Sequence, residues 1–586
     1  MCGIFAIFGS ACDDVNCNGN GNGNGNGVVT ETNAKTLPKE SMRELAYRCS
    51  SKQRHRGPDK TGVVHLVEDN VVMVHERLRI IGVAHGDQPL QTADENITLV
   101  ANGEIYNFLK ISEELSAFYN TEYVARSDCD VIIGLYEKYG DELVHHMTGM
   151  YAFALYDKKN KKIFAARDPF GIIPMYIGED VYGNIWVASE MKCLTDHCTY
   201  IQNFPVGKNT FFMLHFFYIF IFFTMQLYFM LHFFLCSSSF PLSTGSSFSH
   251  QLEQPNKWKF VKYYKEDWIT KVPEMSVDLT RFKDALESAV RSHLQCEVKF
   301  GSLLSGGVDS SLIASIATKV MREKNPDFKL HTYSVGLEGA PDFKYSQMVA
   351  DFIGSDHHEV HFTVEEGIDC IRDIIYHLES YDVTTIRASI PMFILTRYIK
   401  SDGLKMVLSG EGADEILGGY LYFHSAPNAE DFHFETVSRT LNLWSSDCLR
   451  ANKSTMSWGV ELRVPFLDTD FVNYAMSVCP EDRMITEKGK GIEKYILRQA
   501  FEGDYLPSEV LWRQKEQFSD GVGYNWIDTI RSYATDHITD EQFAKAAELY
   551  PFNTPLSKEG FYYRELFEEM FPNQSCLKTV KQWIPR

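Results

Sequence analysis

The chain has no CxxC pair and no GK[ST] sequence. The closest cysteine pairs, Cys12/Cys17 and Cys193/Cys198, have four residues between them, a poor spacing for zinc. The 13 cysteines are odd in number and scattered, which fits reduced thiols in a cytosolic protein. Basic charge is also short. Lys and Arg number 57 against 78 Asp and Glu, a net charge of -21. Non-specific binding to nucleic acid or to an anionic membrane is therefore disfavoured. The apolar N-terminus is short and lacks a basic n-region, so no signal peptide is expected.

What remains is an ordinary globular balance over 586 residues, 44% hydrophobic and 23% charged. A prior of roughly 150 residues per domain gives about four domains, or fewer and larger ones. Met1–Gly9 reads as a short buried strand, and residues 16–27 as an Asn/Gly surface loop. Short apolar runs recur at Gly62–Leu66, Val71–Val74, Ile97–Val100, Tyr151–Tyr156, Ile163–Ala166 and Ile185–Ala188. They predict a β-rich layered first domain, with one helix at Asp130–Tyr139.

After Val277 the pattern changes. Helices over Arg281–His293, Ser310–Met321 and Phe343–Ile353 alternate with strands at Phe300–Leu304, Leu330–Val335, Glu359–Phe362 and Lys405–Leu408. That alternation predicts an α/β region with a parallel sheet, followed by a mostly helical C-terminal part.

Between these halves lies Phe211–Leu235, without Asp, Glu, Lys or Arg, in which FMLHFF occurs twice. Its length could span a bilayer. Three readings stay open: a transmembrane helix, an unusual buried helix, or a segment absent from the native protein. A single crossing would separate the two halves, so membrane insertion is the least compatible with joint action of both.

Cys2 is the first residue to suggest chemistry. Removal of Met1 would leave its α-amine beside its thiol. An α-amine with a pKa near ~8 can take the thiol proton, so one residue supplies nucleophile and base. MCGIF is followed by RGPD (Arg56–Asp59), HERL (His75–Leu78), NGEIYN (Asn102–Asn107) and SDCD (Ser127–Asp130). In this order the motifs resemble the class II glutamine amidotransferase domain with an N-terminal cysteine nucleophile.

The resemblance implies an αββα-layered N-terminal-nucleophile fold and a glutamine site. Arg77 would pair with the substrate carboxylate. Asp128, helped by Glu104, would hold the α-ammonium. Asn102 and the Gly103 amide would donate to the oxyanion formed when Cys2 attacks. The backbone at Ile81 would also touch glutamine. Gly82 departs from the family, which usually carries Asp there, and Arg79 replaces a smaller residue.

SGGVDSS (Ser305–Ser311) lies between a predicted strand and a helix, a turn whose backbone N–H groups can cradle an anion. It matches the pyrophosphate loop of the N-type ATP pyrophosphatases. That resemblance implies that Ser305, Gly306, Gly307, Ser310 and Ser311 bind pyrophosphate and that Asp309 orients Mg2+. SGEGADE (Ser409–Glu415) follows another predicted strand. By the same resemblance, Leu303, Val335, Ser409 and Gly410 meet ATP. Glu411 serves adenylation and the ammonia step, and Asp414 is a second Mg2+ candidate. Lys515, in RQKEQFSDG (Arg513–Gly521), would neutralise pyrophosphate.

YDVTTIRAS (Tyr381–Ser389) and WGVELRVPFLD (Trp458–Asp468) complete a set that resembles the asparagine synthetases. The expected organisation is a glutamine amidotransferase domain over 2–207, an apolar and Ser-rich insert over 208–256, and an ATP-pyrophosphatase domain over 257–586. The implied substrates are glutamine, aspartate and ATP, joined by an internal ammonia tunnel. Arg387 is a candidate for a substrate carboxylate. A homodimer is compatible with the resemblance; nucleic acid is not an expected partner.

Overall fold

The computed structural model describes residues 1–9, 41–213, 260–485, 491–515, 523 and 526–582. The Asn/Gly loop and most of the apolar segment lie outside the described residues. Two antiparallel sheets and one parallel sheet make up the strands.

The first sheet runs β10 (Cys198–Asn203), β8 (Tyr176–Asp180), β9 (Ile185–Ala188), β1 (Gly3–Phe8), β3 (Val71–Arg77) and β2 (Lys60–Leu66). Its central strands β1 and β3 are buried throughout, which is why β1 and the Val71–Val74 half of β3 read as apolar runs. The second sheet runs β12 (Phe260–Lys262), β11 (Lys208–Met213), β7 (Lys162–Arg167), β6 (Gly149–Asp157), β5 (Ile97–Ile105) and β4 (Leu90–Gln91). The sheets stack through β1 and β3 against β5 and through β1 against β6, burying Phe8, Val74 and Phe153. The helix Met42–Ser51 covers the first sheet at β1 and β3. The helix Val131–Tyr139 lies against the second, with Tyr136 near Phe164. This is the expected αββα layering.

β11 and β12 extend the second sheet past residue 207. The backbone of 211–213 continues β11, paired with Ile163 and its neighbours on β7, so a helix does not begin at Phe211. The ladder hydrogen bonds offered by β7 decide that. Among the described residues, no helix is long and apolar enough to cross a membrane.

The parallel sheet runs β15 (Asp356–His361), β14 (His331–Gly336), β13 (Phe300–Leu303), β16 (Met406–Leu408) and β17 (Glu461–Arg463). Its helices include Leu279–His293, Val308–Arg322, Pro341–Ile353 and Val383–Ser401. From β13 the chain moves outward to β14 and β15, then returns to the other side of β13 as β16. Strand order reverses between β13 and β16. In open α/β sheets the ligand crevice lies at that point, beyond the C-terminal ends of the strands.

Two candidate active sites and the wall between them

The first site is an open pocket of about 320 Å³ at the edge of β1, β3 and β5. Cys2, Arg77, Ile81, Gly103, Glu104 and Asp128 all line it. The Leu78 amide donates to Cys2 Sγ at 3.4 Å, and burial pushes the thiol pKa up. A thiol held protonated needs a base before it can attack.

Asn102 is fully buried behind Cys2. Its Oδ1 accepts from the Cys2 nitrogen at 2.6 Å, and its Nδ2 donates to Ser189 Oγ at 3.1 Å. Nδ2 carries a second hydrogen, so the bond to Ser189 does not exclude donation to an oxyanion. In the geometry observed it orients the Cys2 nitrogen. Gly103 has φ +140°, and a Cβ there would lie 2.0 Å from the Met150 carbonyl oxygen, so only glycine fits.

Arg77 reaches the pocket already paired with Asp87, and donates to the Gly82 carbonyl at 2.6 Å. Asp87 also takes Lys60 and Arg79. Asp128 Oδ2 accepts from the Ile105 amide at 2.9 Å. Burial raises Glu104, against the pull of Arg463, to about 7. Gly82 has φ +62°, and a Cβ there would lie 2.1 Å from the Arg126 carbonyl oxygen. The departure at Gly82 is thus required by this loop. Its amide, with that of Val83, donates to Glu297 of the second domain.

The second site lies at the reversal point. Ser305–Ser311 follows β13, and Ser409–Glu415 follows β16. The two loops touch: a Cβ on Gly410 would lie 2.6 Å from the Ser310 amide nitrogen. Ser310 Oγ accepts from the Ser305 amide at 3.1 Å and closes the first loop. Ser311 Oγ is buried without a hydrogen-bond partner. Leu303 ends β13, and Val335 stands near the end of β14.

Four charged groups meet beside the loops. Lys494 Nζ lies 2.6 Å from both Asp309 Oδ2 and Asp414 Oδ1, and Lys515 Nζ lies 2.7 Å from Asp414 Oδ2. Burial works against the Asp414 carboxylate, but Lys494 and Lys515 outweigh it and hold its pKa well below the usual range. Glu411 is raised by burial, against the pull of Arg450, which lies 2.7 Å away. Glu415 accepts from the Tyr420 hydroxyl, and burial pushes it to about 8. Arg387 is paired with Glu559, whose two carboxylate oxygens accept from its Nε and Nη2.

A buried ion network joins the domains between these sites. Glu379 accepts from the Met191 and Lys192 amides at 2.8 and 2.7 Å and pairs with Lys453. Glu190 takes Arg56 at 2.6 Å and Lys192 at 2.7 Å.

A model of the glutamine amidotransferase domain matches residues 27–219, and a model of asparagine synthase matches 281–438 and 425–583. A probable glutamine-hydrolysing asparagine synthetase of Dictyostelium discoideum is 45% identical over 565 residues, covering 93% of each chain. The chain belongs to the glutamine-hydrolysing asparagine synthetases. Asparagine synthetase B of Escherichia coli K12 is 44% identical over 550 residues, 92% of this chain and 90% of that one. Asparagine synthetase 3 of Arabidopsis thaliana is 43% identical over 588 residues, 99% of this chain and 89% of that one.

Several groups at these synthetase-family sites were not expected from sequence. Asp87 and Ser189 complete the first. Lys494, Arg450 and Asp447 complete the second, where Arg450 lies 3.1 Å from Asp447. Lys494 is buried at φ +57°, an uncommon backbone for lysine that turns it toward the aspartates. No local motif announces it, because its partners lie far away in sequence.

Proposed function

We propose that this chain makes asparagine from aspartate, with ATP as the energy source and glutamine as the nitrogen donor. Cys2, freed of Met1, hydrolyses glutamine to glutamate and ammonia. Asn102 then holds the new α-amine, whose lone pair takes the thiol proton. Arg77 and Asp128 receive the two ends of the glutamine backbone, with Glu104 beside the ammonium and the Ile81 backbone at the pocket wall. Gly103 N–H donates to the oxyanion.

At the second site, ATP lies along Leu303, Val335, Ser409 and Gly410. Ser305, Gly306, Gly307, Ser310 and Ser311 hold the leaving pyrophosphate. Asp309 keeps Oδ1 buried without a hydrogen-bond partner, and Asp414 stands beside it across the shared Lys494 ammonium. Such a pair of hard oxygen donors suits Mg2+. When bound, the ion would neutralise phosphate charge; Lys494 and Lys515 add two further positive charges. Glu411, with its pKa raised by burial, is suited to take the proton that ammonia loses on attacking the activated aspartate. The free cysteines among the described residues support a cytosolic setting.

The observation that carries this reading is the meeting of the two loops, SGGVDSS and SGEGADE, at the reversal point of the parallel sheet, behind a cysteine-bearing pocket. The test is an assay of asparagine and pyrophosphate formation with glutamine or ammonia as nitrogen source. Cys2→Ala should abolish glutamine use and leave the ammonia-driven reaction. Loss of both in a folded variant would refute the division of labour.

A further inference from the structure

The outer strand of the parallel sheet is rich in histidine. β15 reads DHHEVH, and its neighbour β14 begins at His331. The register sets His331 opposite Asp356 and Tyr333 opposite His358. Residues two apart on a strand share a face, and paired residues share it too. His331, Tyr333, Asp356 and His358 therefore project from one face. Asp356 Oδ2 lies 3.2 Å from His331 Nδ1 and 3.7 Å from His358 Nε2. The donor atoms of the three residues all lie within 4.8 Å of one another.

Both imidazole nitrogens face one carboxylate oxygen. His331 Nδ1 and His358 Nε2 are shielded from solvent, and Asp356 Oδ2 meets the first at 3.2 Å and stands 3.7 Å from the second. Three donor atoms converging in this way suit a shared cation. Packing fixes the direction of one: the Tyr333 ring stacks on His358, 4.9 Å between centroids and 14° between planes. The Tyr333 hydroxyl is itself tied to Asp402 at 3.0 Å.

We infer that His331, Asp356 and His358 form a binding site for a first-row divalent cation of the zinc class. Two imidazoles and a carboxylate favour such an ion over Mg2+ or Ca2+, which prefer all-oxygen shells. Bonds of about 2.0–2.2 Å place tetrahedral donors roughly 3.3 Å apart. The two distances to Asp356 lie near that value, and small rotations of the imidazoles bring the third into range. Three protein ligands leave a fourth position for water, on the side of Asp356, whose side chain is 54% exposed.

The site is remote from the ATP crevice. Val335 lies four residues along β14 from His331, roughly 13 Å at the usual rise. The ion is therefore a clip and not a reagent. Among the described residues β15 is an edge strand, paired only with β14, and a metal bridging the two strands fastens that edge.

The test uses the full chain, stripped with a chelator and returned to Mg2+ buffer, then titrated with Zn2+ and with Co2+. The parent should bind one Zn2+ that Asp356→Asn and His358→Gln do not bind. Zn2+ should raise the Tm of the parent and leave both variants unmoved. Visible Co2+ bands should appear in the parent and vanish in the variants. Ammonia-driven activity without Zn2+ should be unchanged in all three. If His358→Gln does not fold, Asp356→Asn decides alone, because its half-exposed side chain tolerates the change. Equal Zn2+ stoichiometry and equal Co2+ spectra in parent and variants would overturn the assignment. So would a parent that binds no Zn2+, which would leave the group as a contact between His331 and Asp356 and nothing more.

Discussion

Arg463, on strand β17 of the parallel sheet, lies 3.0 Å from Glu104 in the pocket of the other domain. The pair crosses the domain boundary, and neither side chain is more than 5% exposed. Glu461, two residues back on the same strand, takes Arg463 Nε at 2.6 Å and the Met1 ammonium. One short strand of the second domain thus stands as a wall behind the Cys2 pocket, reaching Glu104 and Met1 of its lining.

That wall makes stability depend on pH. Glu104 sits near 7 in the folded chain, above the ordinary carboxylate range, because burial penalises its charge. The folded state binds the proton more tightly than the unfolded state. Its contribution is therefore fully present below the unfolded value and is lost as pH rises through about 7. Glu104→Gln should remove this slope between pH ~4.5 and ~7, a change of up to roughly 3 kcal/mol across the window. Urea unfolding at a series of pH values measures it; parallel curves for parent and variant would contradict the assignment.

Lys494→Met should lower asparagine formation from either nitrogen source by about 10²-fold or more, the usual loss when one preorganised charge is removed. Glutaminase activity should stay within about twofold, because Lys494 touches only the second site. Side-by-side assays of glutamate and asparagine output decide this. A parallel fall in both products would mean that Lys494 supports the whole fold.

Glu411→Gln removes the proposed proton acceptor and keeps the shape. Asparagine output should fall by ~10²–10⁴-fold while glutamine hydrolysis continues. Unchanged asparagine output would remove Glu411 from the mechanism.

Lys453 is fully buried between Glu379 and Glu190. Lys453→Met removes one cation shared by the two carboxylates and leaves them Arg56, Lys192 and two backbone amides, so it should lower Tm at less than the ~3–5 kcal/mol of a buried charge left alone. Glutamine-driven synthesis should suffer more than ammonia-driven synthesis, since this network joins the domains. An equal loss in both would make it structural only.

The strands most easily read in the sequence were the ones buried on both sides. β1 and β13 are apolar runs, and the glycine-rich loops after β13 and β16 mark their own turns. Strands whose charges are paired by distant residues were hidden. β17 is Glu-Leu-Arg, and it is buried only because Met1, Glu104 and the His293 carbonyl satisfy its ions. β15 begins three residues before its apolar part, because an edge strand can carry Asp-His-His on its flank. Cys2, Arg77, Asp128, Asp309 and Glu411 carry recognisable motifs; Lys494 and Arg450 do not. Lys494 meets Asp309 from 185 positions away, and Arg450, beside its near neighbour Asp447, reaches Glu411 across 39.

Thr210 on β11 faces Phe260 on β12 across an antiparallel ladder. Facing residues in such a ladder stand about 4.5–5.5 Å apart. Within the described residues, β11 runs on along β7 to Met213 and β12 takes up its own pairing at Phe260, so the two ends belong to neighbouring strands at the sheet's rim. A seam cut there can be closed by a two-residue hairpin turn, and neither active site nor the ion network between them would have to shift.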